Sequence, residues 1–260
     1  MQSMNTNATA AAAANMGTLK VSVWRGKAGA PGDGARGSFT LYEVPRRESQ
    51  TVLDVVTTIQ RDIDPSLAYR FACRVGVCGS CAMTVNGKAR WTCRTHVKSV
   101  AADGVLELAP LANLPVIKDL ATDMREFFDK WAKARGQFKG TKTRHDDFAV
   151  VKPESKQRQA VDAGIECIGC AACYASCDVV TWRREFLGPA ALNRAWTLAN
   201  DVRDVQQKER LLAVSGDAGC HACHTQGSCS ERCPKHIEPT AGISGLKRLA
   251  ARAAVMGELG

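Results

Sequence analysis

CIGCAACYASC, residues 167–177, sets Cys167, Cys170, Cys173 and Cys177 in a Cys-x2-Cys-x2-Cys-x3-Cys run. Three thiols at that spacing can close on one polynuclear iron centre, and the fourth is directed to a different one. Such a run needs a second segment that returns a ligand. CHTQGSCSERCP, residues 223–234, supplies it, because Cys233 follows Cys229 with three residues between and is itself followed by Pro234, the ending this motif takes. The two runs read as crossed partners.

On this reading Cys167, Cys170, Cys173 and Cys233 form a complete four-thiolate site for a 4Fe-4S cluster. Cys177, Cys223 and Cys229 make only three ligands. The position that should supply the fourth is Gln226, an uncharged amide and a poor iron ligand beside thiolate, so the spacing predicts a 3Fe-4S cluster. Cys220 lies three residues ahead of Cys223 and is either a spare thiol or a competitor for iron.

The first half carries a third group. Cys73, Cys78 and Cys81 form Cys-x4-Cys-x2-Cys, with Cys93 further on, the plant-type arrangement for a 2Fe-2S cluster. A four-cysteine zinc site is the alternative, but it usually presents two Cys-x2-Cys pairs. Gly76 and Gly79 in CRVGVCGSC let the backbone wrap closely and offer N–H groups to the inorganic sulfides.

Outward from these motifs the chain divides in two. LKVSVWRG (19–26) and GSFTLYEV (37–44) alternate as strands of a hairpin across a Gly-rich connection, and TVLDVVTTIQRDI (51–63) has helical spacing. CAMTVNGKARW is a second hairpin closed by Asn86-Gly87, and VLELAPL (105–111) is a further strand. From Asp119 the pattern turns helical, through DLATDMREFFDKWAKA, LNRAWTLANDVRDVQQKERLLAV and GISGLKRLAARAAVM, with a polar basic loop over 136–160. The expected organisation is a disordered tail at 1–16, a sheet domain at 17–118 and a helical domain at 119–260.

Composition narrows the class. The chain has 260 residues, 45% apolar and 23% charged, and no apolar run approaches the roughly 18 residues of a membrane span. Its first residues lack the features of a secretory signal or a transit peptide. With no export signal, the 12 cysteines, in three groups of four, suit metal chelation in a reducing compartment better than disulfides. The formal charge of +9 comes from Lys and Arg spread along the chain with few aromatics, which argues against nucleic acid and for docking near a membrane.

Two-iron motif, complete run and broken run, in that order, resemble the iron-sulfur subunit of succinate dehydrogenase and fumarate reductase. CRVGVCGSCAMTVNG, LAPLANLPVIKDLATDM, EFLGPAAL and CPKHIEP are similar to that family's segments, and the likeness covers nearly the whole chain. It implies an α+β protein with an N-terminal beta-grasp ferredoxin domain and an all-helical ferredoxin domain. The implied partners are a flavoprotein subunit that holds FAD and a membrane anchor of one or more subunits, with haem b as an optional cofactor. The implied position is peripheral, on the cytoplasmic face of a bacterial inner membrane.

The family's electron path runs from flavin through 2Fe-2S, 4Fe-4S and 3Fe-4S to quinone, or backwards in fumarate reduction. Trp182, five residues after Cys177, and His224, directly after Cys223, match residues that border the quinone in quinone-reducing members, which favours succinate oxidation. The alternatives are a core aromatic for Trp182 and a donor to cluster sulfur for His224. Asp178 departs from the family, standing where a proline usually follows the fourth cysteine. His96 and His145 lie away from the cysteines, His221 and His236 flank them without completing a ligand set, and Lys235 and His236 face lipid headgroups, the anchor subunit or solvent. A stand-alone ferredoxin, a subunit of another redox complex and a zinc-stabilised interaction module are the competing classes.

Overall fold

The computed structural model describes residues 17–28 and 34–257. The tail expected at 1–16 and the middle of the Gly-rich connection lie outside them.

Strands β1 (Thr18–Lys27) and β2 (Arg36–Pro45) pair antiparallel, with Leu19 opposite Val44 and Val21 opposite Tyr42. Period-two alternation puts Leu19, Val21 and Val23 on one face, where all three are fully buried. Helix α1 (Val52–Thr58) crosses that face and buries Val52, Val55 and Val56 against it. It begins on a reciprocal cap: the Thr51 hydroxyl accepts from Asp54 N (3.2 Å) and the Asp54 carboxylate accepts from Thr51 N (2.9 Å). Strands β3 (Ala82–Val85) and β4 (Lys88–Trp91) form the second hairpin, turning through Asn86 (φ 47°) and Gly87 (φ 72°). Strand β5 (Val105–Ala109) lies between β3 and β1 and runs parallel to β1, so the first and last long strands share the middle of the sheet.

The sheet continues past the point where helix was expected. Strands β6 (Val116–Lys118) and β7 (Ala121–Thr122) intervene, and the helix starts only at Arg125. The cause is Asp119, which takes φ 49° and is almost wholly buried. Its carboxylate accepts from Gly26 N and Ala68 N, each at 2.9 Å, and its N–H donates to Gly26 O (2.7 Å). Those long-range bonds hold residue 119 in a turn that local periodicity does not announce.

The second half is helical, built from Arg125–Lys133, Pro189–Ala199, Gln207–Ser215 and Pro239–Val255, with short turns around the cysteines. The single helix expected over 192–214 is broken between Ala199 and Gln207. There Asp201 accepts from Arg203 N (3.0 Å) and Asp204 from Gln206 N (2.8 Å), so side chains replace the helical acceptors. Arg210 sits over this break with no exposed surface, forked onto Asp204 at 2.8 and 3.1 Å. The helical core also takes in Ala89, Leu111 and Leu114 from the sheet side, so the two halves share one packed boundary.

Candidate metal centres

The loop from Cys73 to Cys81 owes its shape to Arg74, Gly76 and Gly79, which all have positive φ. This curl turns backbone donors inward. Val75 N and Val77 N point at Cys73 Sγ (3.4 and 3.3 Å), Cys73 N at Cys78 Sγ (3.5 Å) and Cys93 N at Cys81 Sγ (3.5 Å). N–H groups aimed at sulfur favour thiolate, and those of Val77 and then Val75 hold the Cys73 thiol down at about 6. Cys93 sits at the other side of the loop, where burial and then Cys81 push its thiol up to about 12. Cys81 and Cys93 pack against Leu53, whereas Phe71, Val75 and Val77 form an exposed apolar rim on the outer side.

In the helical half, Cys167, Cys170, Cys173 and Cys233 line one small cavity, completed by apolar groups of Ala190, Ile237 and Pro239. The chain turns between these thiols at Gly169 (φ 63°) and Ala171 (φ 61°). Burial, then the neighbouring cysteines, pushes the Cys173 thiol well above its ordinary range, and burial pushes Cys170 up to about 11. Burial favours the protonated form of Cys167, Cys170 and Cys173, and a cation that takes the proton's place offsets that cost, which is the chemistry iron supplies. Among the described residues no three Cys, His, Asp or Glu side chains converge tightly enough for a single ion. The residues present fit a centre that occupies a cavity.

The remaining group gathers where the two runs meet. Cys229 and Cys223 lie close enough to Cys177 to add to the effect of burial in pushing its thiol up, and Cys229 is also a neighbour of Cys173 in the first cavity. Thr225 (φ 60°) directs its N–H to Cys223 Sγ (3.4 Å), and Cys229 Sγ lies 3.2 Å from Thr240 Oγ1. His224, Thr225 and Gln226 are exposed at the tip of this turn. Trp182 ends the short helix Asp178–Trp182 that Cys177 begins, and is 71% exposed, so it is not a core aromatic. Asp178 is exposed in the first turn of that helix. Cys220 is fully buried among the helical core residues. His96, His145, His221 and His236 are all exposed.

Two functional supports were not singled out from sequence. Asn113, with φ 63°, reaches across from the connecting segment: its Nδ2 donates to the carbonyls of Tyr174 (3.1 Å), Ala175 (3.4 Å) and Cys177 (3.2 Å). Its Oδ1 accepts from Thr181 Oγ1 (2.8 Å), so one side chain ties the end of the first cysteine run to the helix carrying Trp182. An asparagine within LANLPV was the available signal, since Asn is enriched among non-glycine residues at positive φ. The second is Lys130, buried with its ammonium donating to Tyr174 OH and Arg184 O, both at 2.7 Å, behind the same turn.

A sheet domain with a thiol-lined loop, packed on a helical domain with two interleaved thiol groups, defines a two-domain iron-sulfur protein. A family described as a 2Fe-2S iron-sulfur cluster binding domain matches residues 20–129, and one described as a 4Fe-4S dicluster domain matches 164–237. The fumarate reductase iron-sulfur subunit of Escherichia coli O6:H1 is 34% identical over 78% of this chain and 82% of its own length. The mitochondrial succinate dehydrogenase [ubiquinone] iron-sulfur subunit 1 of Oryza sativa is 36% identical over 76% of this chain and 70% of its own. Among solved structures, a chain of the Mycobacterium smegmatis Sdh1 complex in the apo form superposes with a TM-score of 0.76 at 29% identity, covering 90% of this chain and 96% of that one. The chain belongs to the family of iron-sulfur subunits of fumarate reductase and succinate dehydrogenase.

Proposed function

We propose that this chain is the electron-transfer subunit of a membrane-bound succinate:quinone oxidoreductase. The observation that carries the reading is the serial placement of three thiol groups: a surface loop in the sheet domain, a cavity next to it, and a third group sharing Cys229 as a neighbour of Cys173. Cys73, Cys78, Cys81 and Cys93 hold the 2Fe-2S cluster; Cys167, Cys170, Cys173 and Cys233 the 4Fe-4S cluster; Cys177, Cys223 and Cys229 a 3Fe-4S cluster. When bound, these groups supply one-electron carriers. The boundary between the domains falls later than residue 118, between the end of β7 at Thr122 and the helix that starts at Arg125.

The protein's own residues do the rest. The exposed rim of Phe71, Val75 and Val77 excludes water from the outer side of the first loop once a flavoprotein partner that holds FAD covers it. At the far end, exposed Trp182 and His224 offer an aromatic face and an imidazole to quinone, beside an anchor subunit that holds the chain on the cytoplasmic face of the membrane. No helix among the described residues is long and apolar enough to cross a membrane, so attachment is assigned to that partner. Trp182 and His224 favour succinate oxidation as the working direction. The relatives named for fumarate reductase support the reverse as the second reading.

The test is a pair of variants in the assembled complex. Trp182→Ala and His224→Ala should keep all three clusters and the reduction of an artificial dye upstream, while quinone reduction falls. Loss of the third cluster in His224→Ala would make that residue a structural support and remove it from the quinone site.

A further inference from the structure

Gly79 meets two separate demands. Its φ of 70° belongs to the curl of the first thiol loop, as does the φ of 76° at Gly76. The second demand comes from the other domain. A Cβ built on Gly79 would lie 2.8 Å from both Cα and Cβ of Cys170 and 3.0 Å from the carbonyl oxygen of Ile168. These are backbone atoms and a Cβ, which cannot swing aside as the end of a long side chain can. Gly76 differs in this respect: a Cβ there would meet Trp91 at 2.8 Å and Arg94 at 3.0 Å, both inside its own domain. Around the Gly79 contact, Cys78, Leu111, Met124 and Phe128 line a cleft together with Gly169 and Cys170, so the two thiol loops face each other across one narrow boundary.

We propose that Gly79 is a positioning residue for the electron step between the domains: the missing side chain lets the loop that carries Cys78 seat directly on Cys170. This rests on the electron-transfer reading above. In the step, one electron leaves the group held by Cys73, Cys78, Cys81 and Cys93, which is oxidised, and reduces the group held by Cys167, Cys170, Cys173 and Cys233. No bond forms or breaks and no proton moves. Tunnelling falls exponentially with the gap, so an added methyl at position 79 that forces the loops apart slows this step in particular.

The test compares Gly79→Ala with Gly76→Ala in the assembled complex, reading only the molecules that retain the two-iron cluster. Both substitutions strain a left-handed backbone, but only the first presses on the other domain. The readout is the saturation behaviour of the reduced two-iron paramagnetic signal, recorded with the four-iron cluster reduced and again with it oxidised, which reports their magnetic coupling. Gly79→Ala should lose part of that coupling, and freeze-quench reoxidation of the two-iron signal should slow; Gly76→Ala should keep wild-type coupling. If Gly79→Ala does not assemble the two-iron cluster, Met124→Trp decides, because it adds bulk to the wall of the same cleft and leaves both glycines in place; it should weaken the coupling too. Wild-type coupling in the variant that decides, or equal loss in Gly76→Ala, overturns the proposal. Absence of iron and labile sulfide from the wild-type complex would instead sink the electron-transfer reading beneath it.

Discussion

Asn113 offers a quantitative test of how the connecting segment holds the third thiol group. Its Nδ2 carries two protons for three carbonyls, at 3.1, 3.2 and 3.4 Å, so it makes at most two good bonds at a time. At about 0.5–1.5 kcal/mol net for each, removing both costs about 1–3 kcal/mol. Residue 113 also has φ 63°, where an alanine Cβ adds roughly 1 kcal/mol. Asn113→Ala should therefore destabilise by about 2–4 kcal/mol, and Asn113→Gly, which keeps the backbone freedom and loses only the bonds, by about 1–3 kcal/mol. Asn113→Asp should be the most damaging, because it tolerates the backbone but turns a carboxylate toward the carbonyls of Tyr174, Ala175 and Cys177. The assay is loss of visible cluster absorption on heating the assembled protein at one fixed scan rate, since cluster loss is irreversible. At roughly 2–4 °C per kcal/mol for a chain of this size, Asn113→Ala should fail about 4–16 °C below wild type. An Asn113→Asp or an Asn113→Gly variant as stable as wild type would refute the role given to the side-chain donors.

Other outcomes follow from the same geometry. Arg210→Ala strands the buried Asp204 carboxylate and the carbonyls of Arg135 and Gln137, and should cost about 3–5 kcal/mol, read in the same melting assay. Gln226→Cys should supply the missing thiolate, permit a fourth iron and lower the potential of the third cluster, measured by redox titration and by reduced electron delivery to quinone. In the cluster-stripped chain Cys73, held down at about 6, is thiolate at pH 7.5, whereas Cys93, pushed up to about 12, is a thiol. Iodoacetamide should therefore modify Cys73 before Cys93, as read by peptide mass spectrometry. The preference should fade as the pH drops below 6 and Cys73 takes up its proton.

What the sequence made legible was mostly local or carried by spacing. Asn86-Gly87 specifies its hairpin because few residue pairs tolerate two successive positive φ angles, and the alternation of Leu19, Val21 and Val23 survives in the buried face of β1. The cysteine runs were legible because iron-sulfur chemistry constrains the intervals between ligands, and Cys167, Cys170, Cys173 and Cys233 do line one cavity despite the distance along the chain. The strands after Val116 were not, because Asp119 turns there only when Gly26 and Ala68 supply donors from far away. The break between Ala199 and Gln207 escaped for a similar reason: the apolar period continues through it, while the acidic pair Asp201 and Asp204 takes over the backbone donors. Gly79 was legible as a glycine for its own loop, but its contact with Cys170 exists only once the two domains are packed together.

Electron paramagnetic resonance of the air-oxidised complex decides whether the third thiol group, Cys177, Cys223 and Cys229, holds its cluster with three thiolates alone, because an oxidised 3Fe-4S cluster is paramagnetic and an oxidised low-potential 4Fe-4S cluster is silent. Wild type should give the 3Fe-4S signal, Cys220→Ser should leave it unchanged, and the subunit should contain about nine irons and about ten labile sulfides. A silent wild type in which Cys220→Ser creates the signal would contradict the assignment, making the buried Cys220 the fourth ligand of a second 4Fe-4S cluster.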